Sequence, residues 1–243
     1  KLLRIIEIIL FNYYSVISVS LRIKNFIDPF KKRSFFLPPI IPDAFIQVGY
    51  KKVSRLEEES KMVNALFLGR IDPRKGINEI IKLANLTQEK ISWKVSGIII
   101  EKDNPELTVN ILKKQKNIEF KLRNRERYTE KVDIEVTNLM YEADFFLQPY
   151  KNLSSTVDLP LLILEAQACG CIVLTTLPDI LDDYIYYPSR AFKFFNLRHI
   201  GEYMSDFYIN SEKIRSIKST INKINEKYSQ KVFYINFKKI IDD

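Results

Sequence analysis

From about residue 62 to residue 194 the chain alternates short apolar runs with segments whose apolar residues recur at helical spacing, and few folds accept that pattern. Strands are expected at 63–68, 92–100, 117–122, 143–148, 171–175 and 191–194. Helices are expected at 77–87, 104–116, 133–142, 159–169 and 178–185. Repeated strand–helix–strand units bury both faces of a sheet, so the expected class is α/β: a doubly wound parallel sheet, Rossmann-like. The tail from Arg198 to Ile241 carries no strand signal and reads as two or three helices. Ahead of the alternation, Lys1 to Tyr14 reads as an amphipathic helix, Ser15 to Ser20 as a short strand and Arg22 to Phe30 as another helix. Pro38, Pro39 and Pro42 then break regular structure and mark a linker or domain edge. Lys51 to Lys61 is strongly charged and is expected to be exposed.

Open sheets of this class bind ligands outside the carboxyl ends of their strands, so polar residues placed there carry most information. Gly69-Arg70-Ile71-Asp72-Pro73-Arg74-Lys75-Gly76 follows the first strand and opens a helix. Arg70 and Lys75 on such a turn, beside free backbone amides and a helix N-terminus, form a clamp for a phosphate or diphosphate. A solvated basic loop is the alternative. The segment from Tyr150 to Asp158 follows the fourth strand and shares the same rim. It leads into Leu161-Leu162-Ile163-Leu164-Glu165-Ala166-Gln167-Ala168-Cys169-Gly170, a helix apolar almost all round and expected to be buried. Thr156 or Asp158 can cap it, Pro160 suits its first turn and Gly170 ends it. Glu165 is the single charge within it. A buried carboxylate needs strong donors, which sugar or ribose hydroxyls would supply; a salt bridge or a solvated edge is the other reading.

The net charge of +8 and pI near 9.2 favour anionic partners: nucleotides, phosphorylated sugars, acidic lipid head groups or nucleic acid. Cys169 and Cys171 are too close for an ordinary disulfide, and no metal-ligand set accompanies them. The single histidine, His199, sits at an expected helix start and reads as structural. No apolar run reaches ~18 residues, so a transmembrane helix is not expected. A phosphate-binding Walker loop is excluded because Lys75 precedes Gly76 instead of following a glycine. No Gly-x-Gly-x-x-Gly follows a strand, which argues against a dinucleotide oxidoreductase.

Three motifs stand in order: Gly69-Arg70-x4-Lys75-Gly76, Ala143-Asp144-Phe145-Phe146-Leu147-Gln148-Pro149, and Leu164-Glu165-Ala166-Gln167-Ala168-Cys169-Gly170. Together they resemble the nucleotide-sugar-binding half of retaining glycosyltransferases of family four, which have the two-domain GT-B fold. The resemblance is good over about 62–185 and weaker over 15–48. It implies three units: residues 1–48 as a remnant of the acceptor domain with its linker, 49–210 as the donor-binding domain, and 211–243 as helices packing back toward the N-terminal segment. It also implies that Arg70 and Lys75 hold the donor diphosphate and stabilise the leaving group, and that Glu165 orients the donor. Gly69, Thr156, Asp158 and Leu161 complete the implied donor site, while Val157 stands where the family has an acidic residue. No metal and no cofactor are implied, because the nucleotide-sugar is the substrate. The implied enzyme is a hexosyl-type transferase acting on an acceptor such as a lipid-linked glycan, cytoplasmic or peripheral to a membrane, with no nucleic acid as partner. Only about sixty residues precede the donor half, so a fragment of a longer enzyme, inactive without its acceptor domain, is expected over a naturally reduced protein. Lys1 to Tyr14 could touch anionic lipid, though a core helix is the preferred reading. The competing function is a non-catalytic basic α/β module for nucleotides or nucleic acid, prompted by stretches such as Lys121 to Tyr128.

Overall fold

The computed structural model describes residues 16–18, 24–25, 28, 34–56, 63–87, 89–99, 106–123, 130–151, 160–176, 181–193, 196–207 and 209–242. The expected helix at Lys1 to Tyr14 and most of that at Arg22 to Phe30 lie outside them. Two short strands, β1 (Val16–Ser18) and β2 (Ser34–Phe36), form a small parallel pair. Helix α1 (Asp43–Leu56) follows the proline-rich stretch and leads to β3 (Val63–Arg70). Then come α2 (Ile77–Leu86), β4 (Ile91–Ile98), α3 (Glu106–Lys114), β5 (Ile118–Arg123), α4 (Glu130–Glu142) and β6 (Phe145–Gln148). The second half holds α5 (Leu161–Ala168), β7 (Ile172–Thr176), β8 (Arg190–Phe192), α6 (Leu197–Ser205), α7 (Ser211–Tyr228) and α8 (Gln230–Asp242).

The six strands β3 to β8 form one parallel sheet in the order β5-β4-β3-β6-β7-β8. This is the Rossmann-like α/β architecture that the alternation predicts. Ala65, Leu66, Phe67 and Leu68 are buried in succession, because a central parallel strand is covered on both faces. Helices α1, α4, α5 and α7 pack together on one side, whereas α2 pairs with α6. The tail holds three helices among the described residues. Asn196 caps the first by accepting the His199 amide at 3.1 Å, and Asn210 caps the second through Lys213 at 2.9 Å. The long C-terminal part returns to the proline-rich stretch, where Ile41 donates to the Tyr228 carbonyl at 2.8 Å.

Several expectations change. Residues 51–56 are not an exposed charged stretch: they complete α1, and Lys52 is 0% exposed. Its Nζ donates to the carbonyls of Met140 (3.2 Å) and Ala143 and lies 3.5 Å from Cys171 Sγ. These are carbonyls at the C-terminal end of α4, where a helix has no N–H donors of its own to offer them and where positive charge is favourable. The helix expected over 178–185 is a short 3-10 turn at Asp182–Tyr184 among the described residues. The α1 helix runs across residues 48 and 49.

Candidate donor-binding edge

In the strand order, β3 has β4 and β5 on one side and β6, β7 and β8 on the other. Connections therefore leave β3 and β6 in opposite directions, and a crevice opens between their carboxyl ends. Both α2 and α5 run from the carboxyl edge back to the amino edge, since each links two parallel strands. Their N-termini face this crevice. Neither has a side-chain cap: the N-cap of α2 is Gly76 and that of α5 is Pro160. The expected capping of α5 by Thr156 or Asp158 is thus corrected, because Pro160 occupies the cap position and offers no side-chain acceptor. Thr156 and Asp158 themselves lie outside the described residues.

Gly69, Arg70 and Lys75 come together in the turn that joins β3 to α2. Asp72 organises that turn. Its carbonyl accepts the Lys75 amide at 2.9 Å and its carboxylate accepts the Arg74 amide at 2.8 Å, which closes a 3-10 turn at Pro73–Lys75. The same carboxylate accepts Arg74 Nη2 at 2.8 Å and Nε at 3.1 Å, and also the Arg70 guanidinium. Asp72 is 2% exposed. Burial alone would raise its pKa, but the hydrogen bonds from Arg74 and Arg70 outweigh it and hold the carboxyl at about 2. Three cations against one carboxylate leave the turn net positive. Lys75 reaches over the Tyr150 ring, 4.8 Å from its centroid. Burial, with Arg70 and Arg74 nearby, lowers the Lys75 pKa below its ordinary value, only partly countered by Asp72. A phosphate placed there would restore the favoured charge.

The turn docks directly on the segment after β6. Gly76 has φ 81°, and a Cβ there would overlap the Pro149 carbonyl and ring, so both the left-handed backbone and the close approach require glycine. The Lys151 amide donates to the Arg74 carbonyl at 3.1 Å, and Lys151 Nζ pairs with Glu79 at 3.0 Å. Buried Gln148 donates to the Leu68 carbonyl at 2.7 Å, tying the ends of β3 and β6 together. Space in front of Gly69 is open, since a Cβ there would meet Phe67 alone, at 3.8 Å.

On α5, Leu161 is 42% exposed at the first turn and Glu165, a turn deeper, is 3% exposed. The helix is buried through Ile163–Ala168, as its composition predicts, with the αL residue Gly170 just beyond its end. Neighbouring Gln167 is committed to structure, donating to the Tyr184 carbonyl at 2.8 Å and accepting the Tyr186 amide at 2.9 Å. Both cysteine thiols are pushed up by burial and are free. The sequence points to Arg70, Lys75 and Glu165 as candidates; the structure adds Asp72, Arg74 and Tyr150 as side chains in contact with Arg70 or Lys75 or joined to them through Asp72. Asp72 stands two residues from each arginine, a spacing that could have been read as a shared ion pair. Tyr150 gives no local signal.

Among the described residues, no group of three or more His, Cys, Asp or Glu side chains could hold a metal ion, and no helix is long and apolar enough to cross a membrane. A comparison with curated proteins finds no match. Solved structures are similar in fold. HepE of Anabaena, in complex with UDP-glucose, has a TM-score of 0.67 at 12% identity, covering 98% of this chain and 65% of that one. Sucrose-phosphate synthase from Thermosynechococcus elongatus has a TM-score of 0.66 at 12% identity, with 98% and 60% covered. A point mutant of TarM from S. aureus, in complex with fondaparinux, alpha-GlcNAc-glycerol and UDP, has a TM-score of 0.63 at 14% identity, with 94% and 44% covered. This chain therefore spans less than two thirds of the length of each, and identities so low speak for fold alone. A family model described as glycosyl transferases group 1 matches residues 50–192. That match begins within α1 and ends on the last residue of β8, taking in the whole six-stranded sheet: the chain belongs to the group 1 glycosyl transferases.

Proposed function

We propose that this chain binds the donor for a retaining glycosyltransferase of family four, which moves a hexosyl unit from a nucleoside-diphosphate sugar to an acceptor without a metal ion. The observation that carries the reading is the basic turn at the β3–β6 crevice, flanked by two helix N-termini that lack side-chain caps. Arg70 and Lys75 grip the diphosphate. The first-turn amides of α5, including that of Leu161, face the phosphates or the sugar, and the backbone at Gly69 leaves room for them. Glu165 accepts hydrogen bonds from ribose hydroxyls, while Thr156 and Asp158 contact the donor from the approach to α5.

Cleavage of the glycosyl–phosphate bond leaves a diphosphate with growing negative charge. Fixed cations and oriented amides stabilise that charge at the moment it develops, the task a metal ion performs elsewhere. The HepE and TarM structures contain UDP-glucose and UDP, so a uridine nucleotide is the first donor to try. A lipid-linked glycan acceptor and a cytoplasmic, membrane-peripheral setting fit the basic charge. The alternative of a non-catalytic nucleic-acid binder draws no support from the fold or the family match.

Calorimetry with UDP tests the reading. Arg70→Ala and Lys75→Ala should each weaken binding at least about tenfold, ~1.4 kcal/mol. Affinity unchanged in either variant would remove that residue from the grip. Added EDTA should leave wild-type binding unaltered; loss of binding would reject metal independence.

A further inference from the structure

Asp72 has no part in the grip just described, yet it is the best-connected side chain of the turn. Its carboxylate holds the Arg70 guanidinium and takes two atoms of the Arg74 guanidinium, at 2.8 Å and 3.1 Å, while the Arg74 backbone amide caps on the same group. The two arginines differ in exposure, with side chains 25% and 48% accessible, whereas the carboxylate beneath them is almost wholly covered. That burial decides between two roles. A carboxylate that stood in for an absent phosphate would occupy the solvent-facing side of the cations. Asp72 is covered while both arginine side chains keep accessible surface, and that surface is what remains for a ligand.

We infer that Asp72 is a positioning residue, which holds the guanidinium groups of Arg70 and Arg74 as one pair, and that Arg74 is a third cation in the grip on a nucleoside diphosphate. The inference rests on the donor-binding reading above. Arginine carries large rotamer freedom, and tying two of them before the ligand arrives removes part of the entropy cost of ordering them at binding. A guanidinium is also a planar fork suited to phosphate oxygens, so its orientation matters as well as its charge. Charge alone and orientation make opposite forecasts. Deleting a carboxylate among cations adds net positive charge, which should tighten the hold on an anion; losing the alignment should loosen it.

The test titrates the whole chain with UDP and, separately, with inorganic pyrophosphate at matched ionic strength. Asp72→Asn keeps an oxygen for the Arg74 amide, so the cap survives while the charge that pairs the guanidinium groups is gone. Asp72→Asn should bind both probes roughly fivefold or more weakly, and Arg74→Gln should weaken both and flatten the salt dependence. Nitrogen-15 NMR of the wild-type chain should show hindered Nε–Cζ rotation in Arg70 and Arg74 but not in exposed Arg198, and Asp72→Asn should release it without shifting the turn's backbone amides. Unchanged or tighter binding by Asp72→Asn, with Arg70→Ala still impaired, overturns the inference and leaves the donor-binding reading standing. Wild-type chain that binds neither probe overturns both. Free rotation at both arginines of the wild-type chain overturns the inference even if the variant does not fold.

Discussion

Asp72 is a single carboxylate that holds two arginines, and its acidity makes the arrangement measurable. Its carboxyl is held at about 2, below the ordinary 3.8, so its contribution to stability is fully present above pH ~4 and fades as the pH falls toward 2. The stability gap between wild type and Asp72→Asn should therefore be constant from pH 7 to about 4 and shrink below it, as urea melts at pH 7, 4 and 2.5 would show. A gap that stays level to pH 2.5 would mean that the charge does not contribute. Glu165 poses the complementary question, a buried carboxylate whose role is proposed as hydroxyl recognition. Glu165→Ala should weaken UDP-sugar binding about tenfold, the scale of a hydrogen bond to a charged group, with little change in the ligand-free melting midpoint. A large loss of thermal stability with unaltered donor affinity would assign Glu165 to the fold instead.

At the scale of elements, α1 shows how a charged sequence can be a core element. Lys52 is buried because its ammonium meets carbonyls at the end of α4, and Cys171 Sγ shares them, donating to Met140 at 3.1 Å and Ala143 at 3.4 Å. Lys52→Met should preserve most of the packing volume but remove the charged donor. A destabilisation of about 1–3 kcal/mol, read from denaturant midpoints, is expected. A neutral or stabilising result would show that the thiol alone satisfies those carbonyls. The central strands and α5 were legible in advance, since burial on all sides writes itself as apolar runs such as Ala65 to Leu68 and the mostly apolar Ile163 to Ala168. Helix α1 was not, because Lys51, Lys52 and Arg55 mask its buried face, and the partner that makes Lys52 tolerable lies on α4. The uncapped start of α5 was also misread: Thr156 and Asp158 suit a cap chemically, but the helix begins later, after Pro160.

Across the whole molecule, the crevice gathers the turn after β3, the segment after β6 and two helix N-termini, so a diphosphate bound there touches elements from both halves of the sheet. Binding to the folded state alone should raise stability by ~2.7 kcal/mol at a ligand concentration a hundredfold above Kd. For a domain of this size that corresponds to a rise of roughly 5–10 °C in the melting midpoint with UDP, reduced in Arg70→Ala and Lys75→Ala. No rise at saturating UDP, confirmed by calorimetry, would exclude uridine nucleotides as the donor. A panel of nucleoside diphosphates in the same assay would then identify the base.

What residue order alone determined was the succession of strands and helices, the class of fold and the position of Arg70 and Lys75 at a strand end, because hydrophobic period and turn chemistry are local properties. Which strand lies beside which was decided in three dimensions: β6 inserts next to β3, and that placement creates the crevice. The same holds for Tyr150 under Lys75, Pro149 against Gly76 and Lys52 beneath α4. Each joins groups distant along the chain, and such pairings are chosen by how the packed layers fit together, a constraint no local pattern carries.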